Sequence, residues 1–296
     1  MQTNPAVNDT QAVVKPSSLW KDAFKRFYKN KTAVVALVVL ILMLLLAIFA
    51  GVLTPYGPYD SDLTQVKVGP SAAHPFGCDE NGRDILTRIL FGARISLSVG
   101  VITVLISTVL GSVIGIVSGY YGGNVDAILS RLMEMIQSFP SILLAIIFMS
   151  VFGRGIENAI IAIALVSIPG PARIIRSSVL STKENDYVAA ANAIGCSDMR
   201  IMFKHILPNV LAPIIVNATM SVSGSILSLA SLGFLGLGVQ PPTAEWGYML
   251  ASGRKYIFSS SHIIMFPGIA IAITVLAFNL LGDGLRDALD PRLKEG

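Results

Sequence analysis

Four stretches of this sequence lack Asp, Glu, Lys and Arg, and each is long enough to cross a lipid bilayer. They cover residues 33–53, 95–121, 206–244 and 256–282. A helix needs about 20 apolar residues to cross a hydrocarbon core of ~30 Å. Only 14% of the 296 residues are charged, against about 25% in a typical soluble domain. These features predict an integral membrane protein and exclude a soluble enzyme, a disordered chain and a disulfide scaffold.

Hydropathy and breaker residues divide the chain into six predicted transmembrane helices. Backbone groups in lipid must hydrogen-bond internally and no barrel-like alternation is present, so the predicted fold is all-α and polytopic. Pro140 is expected to kink the third helix, and the Pro-Gly-Pro sequence at 169–171 to interrupt the fourth. Gly111 and Gly115 form a GxxxG pair that permits close helix packing. The predicted helices cover residues 33–53, 95–121, 127–152, 156–178, 210–232 and 263–281.

The distribution of basic residues predicts a multi-pass protein of the cell (inner or plasma) membrane with both termini in the cytoplasm. This orientation places 15 of the 22 Lys and Arg residues inside and 7 outside, as the positive-inside rule expects. The chain then divides into a cytoplasmic segment with an interfacial basic helix, a first transmembrane helix, an extracytoplasmic loop, a transmembrane core and a cytoplasmic tail. These five parts cover residues 1–31, 32–53, 54–93, 94–284 and 285–296.

The sequence carries little of the chemistry that catalysis or ion coupling requires. It contains no HExxH, GxSxG or GxxxxGK[ST] motif, and its three histidines and two cysteines are scattered, so we expect no catalytic residue, metal or cofactor. The net charge is +4, but no basic stripe alternates with aromatics, which argues against nucleic-acid binding. Carboxylates are scarce in the spans, whereas ion-coupled carriers use such groups at the midplane. A transporter powered by a partner is favoured, with an ion-coupled carrier or a structural scaffold as alternatives.

Residues 184–207, between the fourth and fifth predicted spans, have the pattern of a cytoplasmic helical hairpin. Asn185 or Asp186 is expected to begin a first helix, since both side chains suit an N-terminus and a carboxylate is favoured by the helix dipole. Gly195 suits the left-handed position just beyond the helix end. The sequence therefore predicts a short helix followed by a tight turn.

The second half of this hairpin is predicted to be another short helix with an apolar surface. Ser197 or Asp198 is expected to cap it, and Pro208 to close it at or before Leu207. Its apolar side chains exceed what a free loop needs, which predicts docking on another protein, with packing on its own bundle as the alternative. The apolar residues are Met199, Ile201, Met202, Phe203 and Ile206.

The hairpin resembles the coupling loop, or EAA loop, of permeases from ATP-binding-cassette (ABC) importers. The spacing of Gly195 and the Leu207-Pro208 pair matches that loop, while Ala189 stands where the family often has Glu. The resemblance implies that a partner ATPase docks on this coupling loop, 184–207. The residues implicated in docking are Asp186, Ala189, Ala190, Gly195, Ser197, Asp198, Leu207 and Pro208.

Three further blocks, within residues 74–97, 231–247 and 279–293, are similar to the second permease subunit of dipeptide and oligopeptide importers. That family also includes nickel and glutathione permeases. The resemblance implies a type I ABC importer permease fold and half of a pathway for peptides, working by alternating access. It also implies a second homologous permease, two cytoplasmic ATP-binding subunits that perform the hydrolysis, and an extracytoplasmic substrate-binding protein.

Overall fold

The computed structural model describes residues 19–289, with side chains from residue 23 onward. Within this range the secondary structure is helical, apart from one isolated β-bridge between Cys78 and Asp84. The predicted segments before residue 19 and after residue 289 lie outside the described residues. The α-helices are α1 (Leu19–Lys29), α2 (Lys31–Ile48), α3 (Ala50–Leu53), α4 (Ile85–Tyr121), α5 (Gly123–Gln137), α6 (Ser141–Phe152), α7 (Ile156–Ser167), α8 (Pro169–Lys183), α9 (Asp186–Ala193), α10 (Asp198–Ile201), α11 (Leu207–Phe234), α12 (Trp246–Gly253) and α13 (His262–Leu289).

The helices within residues 19–289 confirm the predicted all-α membrane fold. Five are long and apolar enough to cross a bilayer, and the pair α5–α6 makes a sixth span if counted together. The two members of this pair meet at an angle of 89°, next to Pro140, where the sequence predicted a kink. Proline removes a backbone donor and disfavours helical geometry at the preceding residue, so the helix breaks there. Alone, each piece is too short to cross the hydrocarbon core.

The fourth predicted span is less interrupted than its Pro-Gly-Pro sequence suggested. Helices α7 and α8 join at Ile168, whose backbone is itself helical, and together they form one span of 28 residues. Pro169 occupies the first position of α8, where its missing N–H costs little. The first span is more interrupted than the sequence suggested, because a break at Phe49 separates α2 from the single turn α3.

Helices α4 and α8 pack against each other at close range along a row of glycines. A Cβ atom placed on Gly115 would lie 2.5 Å from the Ala172 carbonyl oxygen, and one on Gly111 would lie 2.9 Å from the Ile168 carbonyl oxygen. The row continues at Gly119, one turn further along α4. The predicted close approach at the GxxxG pair is therefore present, and its partner is α8.

The last described helix, α13, packs against the N-terminal helices α1 and α2. It runs without interruption to Leu289, so residues 282–289 are its final turns rather than a separate segment. Gly284 lies against Ala33 of α2, and Ala288 packs with Phe27 of α1. The N-terminal helices are thereby fixed to the end of the bundle that carries α9 and α10.

The opposite end of the bundle is closed by residues 54–84 and by the start of α12. Asp84 caps α4 by accepting hydrogen bonds from the Thr87 backbone and hydroxyl, and its other oxygen lies 3.0 Å from His74 Nδ1. Arg83 pairs with Asp79 at 2.8 Å. These contacts fix the point at which α4 enters the bundle.

Glu245 and Trp246 connect α12 to the same end of the bundle. The buried Glu245 carboxylate accepts hydrogen bonds from the Gly247 and Tyr248 N–H groups, both at 2.8 Å, and burial raises its pKa. The indole N–H of Trp246 donates to the Ile89 carbonyl oxygen at 3.0 Å. A buried carboxylate at a helix N-terminus is compatible with the fold because backbone donors satisfy it.

Candidate functional site

The first helix of the candidate site, α9, begins where the sequence predicted. Asn185 is the N-cap residue with an extended backbone, and Asp186 supplies a carboxylate in the first turn. The Asn185 side chain makes no capping hydrogen bond and instead donates to the Thr182 carbonyl oxygen at the end of α8. Asp186 therefore provides the favourable charge for the helix dipole, while Asn185 ties the helix back to α8.

The turn after α9 has the geometry predicted for Gly195. This residue adopts a φ of +79°, and its N–H donates to the Asn192 carbonyl oxygen at 3.0 Å. The next N–H, of Cys196, donates to the Ala191 carbonyl oxygen at 3.1 Å. These two bonds form a Schellman motif, which requires a left-handed residue at the glycine position.

The second helix of the site does not close at Leu207, so that part of the sequence prediction is wrong. Ser197 precedes α10 as its N-cap residue, although its side chain makes no capping bond, and Asp198 begins the helix. A π-helical turn, Met202–Ile206, then leads directly into α11, with Pro208 in its first turn. The helix is continuous from Asp198 to Phe234 over 37 residues.

The π-helical turn explains how Pro208 is accommodated within a continuous helix. The N–H of Leu207 bonds to the carbonyl of Met202, five residues earlier, which widens the turn that the proline ring would otherwise hit. The His205 carbonyl oxygen accepts a hydrogen bond from the Asn209 side chain at 2.6 Å. Because the local backbone bonds are replaced, proline marks an irregularity here and does not end the helix.

The apolar side chains of residues 184–207, which we call the docking hairpin, point in two directions. One set is buried in a cluster with α8 and the end of α4, and it contains Val188, Ala191, Ile201, Met202 and Ile206. The other set is exposed at the surface of the chain, and it contains Tyr187, Ala189, Ala190, Ile194, Met199 and Phe203. Packing on the bundle is therefore confirmed for one side of the hairpin, while the other side is uncovered and docking on another protein stays a prediction.

The uncovered side of the docking hairpin is suited to contact another protein. Ile194 is 80% exposed at the turn, and Met199 and Phe203 are each 60% exposed on the second helix. Large apolar side chains grouped on a projecting element are typical of an interaction surface. The predicted residues Ala189 and Ala190 lie on the same hairpin with small, exposed side chains, which leaves a smooth flank beside the larger residues.

Polar contacts join the docking hairpin to the neighbouring helices. The Tyr120 hydroxyl, at the end of α4, donates to the Asp198 carboxylate at 2.8 Å. The Lys183 ammonium, at the end of α8, donates to the Tyr120 carbonyl oxygen at 2.5 Å. The sequence indicated Asp198 but not these partners, since residues 78 positions apart show no pattern that places them together.

A second polar contact joins α5 to α8 near the same end of the bundle. The Arg176 guanidinium donates two hydrogen bonds to the Asp126 carboxylate, each at 2.5 Å. The hydroxyls of Ser118 and Ser130 donate to the same carboxylate. Charged residues within apolar spans are expected to pair. Arg176 lies within the predicted span 156–178 and Asp126 immediately before the span 127–152, so their positions were an available signal for this contact.

Comparisons with known proteins agree with this helical bundle and assign the chain to the transport permeases. Residues 111–295 match the family described as the binding-protein-dependent transport system inner membrane component. Residues 18–70 match the N-terminal transmembrane domain of oligopeptide transport permease C. The chain therefore belongs to the family of multi-pass inner-membrane permeases from binding-protein-dependent ABC importers.

Two relatives support the same assignment, and a solved structure shares the fold. The chain is 46% identical to the dipeptide transport system permease protein DppC of Alkalihalophilus pseudofirmus, over 98% of this chain and 95% of that protein. It is also 46% identical to the glutathione transport system permease protein GsiD of Escherichia coli O157:H7, over 98% and 97%. An inward-facing structure of the MetNI methionine ABC transporter matches with a TM-score of 0.57 and 19% identity, over 69% of this chain and 96% of that one. The last match shows the fold alone.

Proposed function

We propose that this chain forms half of the membrane pathway of an importer for dipeptides and oligopeptides, powered by ATP hydrolysis in partner subunits. The observation that carries the proposal is the docking hairpin, whose inner side is packed on α4 and α8 while its outer side exposes Ile194, Met199 and Phe203. An ATPase that binds this outer side can transmit its movements to the bundle. In the proposed alternating-access cycle, closure of the ATPases displaces the hairpin and rocks the bundle between two orientations.

The peptide cargo is supported by the relative named for dipeptide transport, while another relative at the same identity is named for glutathione transport. Glutathione or nickel import by the same machinery is the alternative within the family. An ion-coupled carrier is the alternative from another class. It is disfavoured by spans such as 95–121 and 206–244, which contain no Asp, Glu, Lys or Arg.

The proposed assembly contains a second homologous permease, two cytoplasmic ATP-binding subunits and an extracytoplasmic substrate-binding protein. One ATPase docks on the hairpin of each permease. Both termini of this chain then lie in the cytoplasm, in agreement with the excess of Lys and Arg on the segments that share the hairpin's side. The residues proposed for docking are Asp186, Ala189, Ala190, Gly195, Ser197, Asp198, Leu207 and Pro208, together with the exposed apolar residues of the hairpin.

An uptake assay in cells that lack this chain tests the proposed cargo. Labelled dipeptide, a longer peptide, glutathione and nickel are supplied separately, with and without the chain restored from a plasmid. We expect restoration to recover uptake of the dipeptide and the longer peptide. Recovery of nickel or glutathione uptake alone would contradict the peptide assignment, and equal uptake with and without the chain would contradict a transport role.

A further inference from the structure

One hydrogen bond connects the docking hairpin directly to the second membrane-spanning helix. The Tyr120 hydroxyl, near the end of α4, lies 2.8 Å from Oδ1 of Asp198, the first residue of α10. Tyr120 is buried, at 7% exposure. A hydroxyl that donates to a carboxylate makes a charge-assisted bond, which is stronger than one between neutral groups. Asp198 can therefore hold the start of α10 at a fixed position relative to α4.

Tyr120 is itself held in place by contacts to its backbone carbonyl and to its ring. The Lys183 ammonium donates to its carbonyl oxygen at 2.5 Å and lies 5.4 Å from the centre of its ring. The ring packs in the apolar cluster that contains Val179 of α8 and Ile201 of α10. A tyrosine that is held at its ring, carbonyl and hydroxyl has little freedom to absorb a movement of the hairpin.

The helices behind Tyr120 are joined closely enough to move as one body. Gly115 and Gly119 bring the α4 backbone against α8, where a Cβ atom would lie within 3.0 Å of the α8 backbone. The bidentate contact of Arg176 with Asp126 connects α5 to the same pair. A displacement of the hairpin that reaches α4 therefore also reaches α8 and α5.

We propose that Tyr120 is a positioning residue that couples the docking hairpin to the α4–α8 pair through its hydrogen bond to Asp198. The inference rests on the proposed function, because it assigns the hairpin the role of receiving ATPase movements. Removal of the hydroxyl leaves the hairpin able to bind an ATPase but weakens its connection to the bundle. The substrate-binding protein on the opposite side of the membrane then stimulates ATP hydrolysis less.

The test uses the complete importer in proteoliposomes and measures ATP hydrolysis with and without the substrate-binding protein. The ratio of these two rates reports communication across the membrane and does not depend on the identity of the cargo. The variants are Tyr120→Phe, Asp198→Ala, their combination, and Asp198→Asn, which keeps an oxygen acceptor. Tyr121→Phe is the matched control, because Tyr121 is 49% exposed and its hydroxyl has no hydrogen-bond partner among the described residues.

We expect Tyr120→Phe and Asp198→Ala each to lower the stimulation ratio by about tenfold, the lower end of what a hydrogen bond to a charged group contributes. The double variant is expected to be no worse than either single variant, since both remove the same contact. Asp198→Asn is expected to give an intermediate ratio, because it keeps an oxygen acceptor but loses the charge that strengthens the bond. Tyr121→Phe is expected to stay close to the wild-type ratio. Retention of the ATPase subunits in each purified variant is measured in parallel.

Two outcomes for the stimulation ratio would overturn the inference. One is an unchanged ratio in Tyr120→Phe, and the other is a double variant whose loss equals the product of the two single losses. Loss of the ATPase subunits from Tyr120→Phe would also overturn it, because the residue would then act in assembly. If the wild-type importer shows stimulated hydrolysis but moves no peptide, the proposed cargo fails while the ratio still tests Tyr120.

Discussion

At the scale of single residues, Gly195 has the most specific requirement in the docking hairpin. Its φ of +79° lies in the left-handed region, and among the described residues other than its two chain neighbours no atom lies within 4 Å of the place a Cβ would take. A substitution there is consequently penalised by backbone strain and not by a steric clash. This separates the conformational role of the glycine from any packing role.

We predict that Gly195→Val lowers ATP-dependent uptake by about tenfold or more, because a β-branched residue in this conformation costs on the order of 1–3 kcal/mol. Gly195→Asn is the control, since asparagine visits the left-handed region more readily. Its uptake is expected to stay near that of the wild type. Equal uptake by the valine and asparagine variants would show that the turn geometry is not needed for coupling.

The local features of the hairpin could be predicted from sequence, whereas its tertiary contacts could not. The start of α9 and the turn at Gly195 depend on residues within a few positions of each other, and both were identified. The bond from Tyr120 to Asp198 joins positions 78 apart, and tyrosine at the end of an apolar helix carries no signal of its partner. Such contacts are set by how the helices pack.

At the scale of elements, the hairpin and the fifth span form one unit. Pro208 was expected to separate them, but the π-helical turn Met202–Ile206 connects α10 to α11 without a break. A proline in sequence shows only that a backbone donor is missing. Whether a helix stops or continues depends on replacement bonds, here from Leu207 and Asn209.

The close contact between α4 and α8 gives a prediction at the same scale. Gly115→Ala places a Cβ 2.5 Å from the Ala172 carbonyl oxygen, so the two helices must separate, at a cost of about 1–3 kcal/mol. We expect a lower apparent Tm for the purified importer. Gly224→Ala is the matched control within α11, because no described atom lies within 4 Å of the added Cβ apart from its chain neighbours and its own helix backbone. Equal Tm values for the two variants would contradict close packing as the reason for the glycine row.

At the scale of the whole molecule, hydropathy predicted the number and approximate positions of the spans because each apolar run matches the bilayer thickness. It could not predict the angle of 89° between α5 and α6. Pro140 signals a break, while the direction of the second piece depends on packing against other helices. The third and fourth spans also differ in how they respond to proline. Pro140 accompanies a sharp bend between α5 and α6, whereas the prolines at 169 and 171 leave α7 and α8 nearly continuous.

We propose that this chain imports its cargo with energy delivered by ATPases at the docking hairpin. The most direct measurement is dipeptide accumulation in proteoliposomes that contain the complete importer and binding protein, with no proton or sodium gradient. We predict accumulation with ATP and none with a non-hydrolysable analogue. Gradient-driven dipeptide flux through this chain alone, without ATP or partner subunits, would contradict the claim.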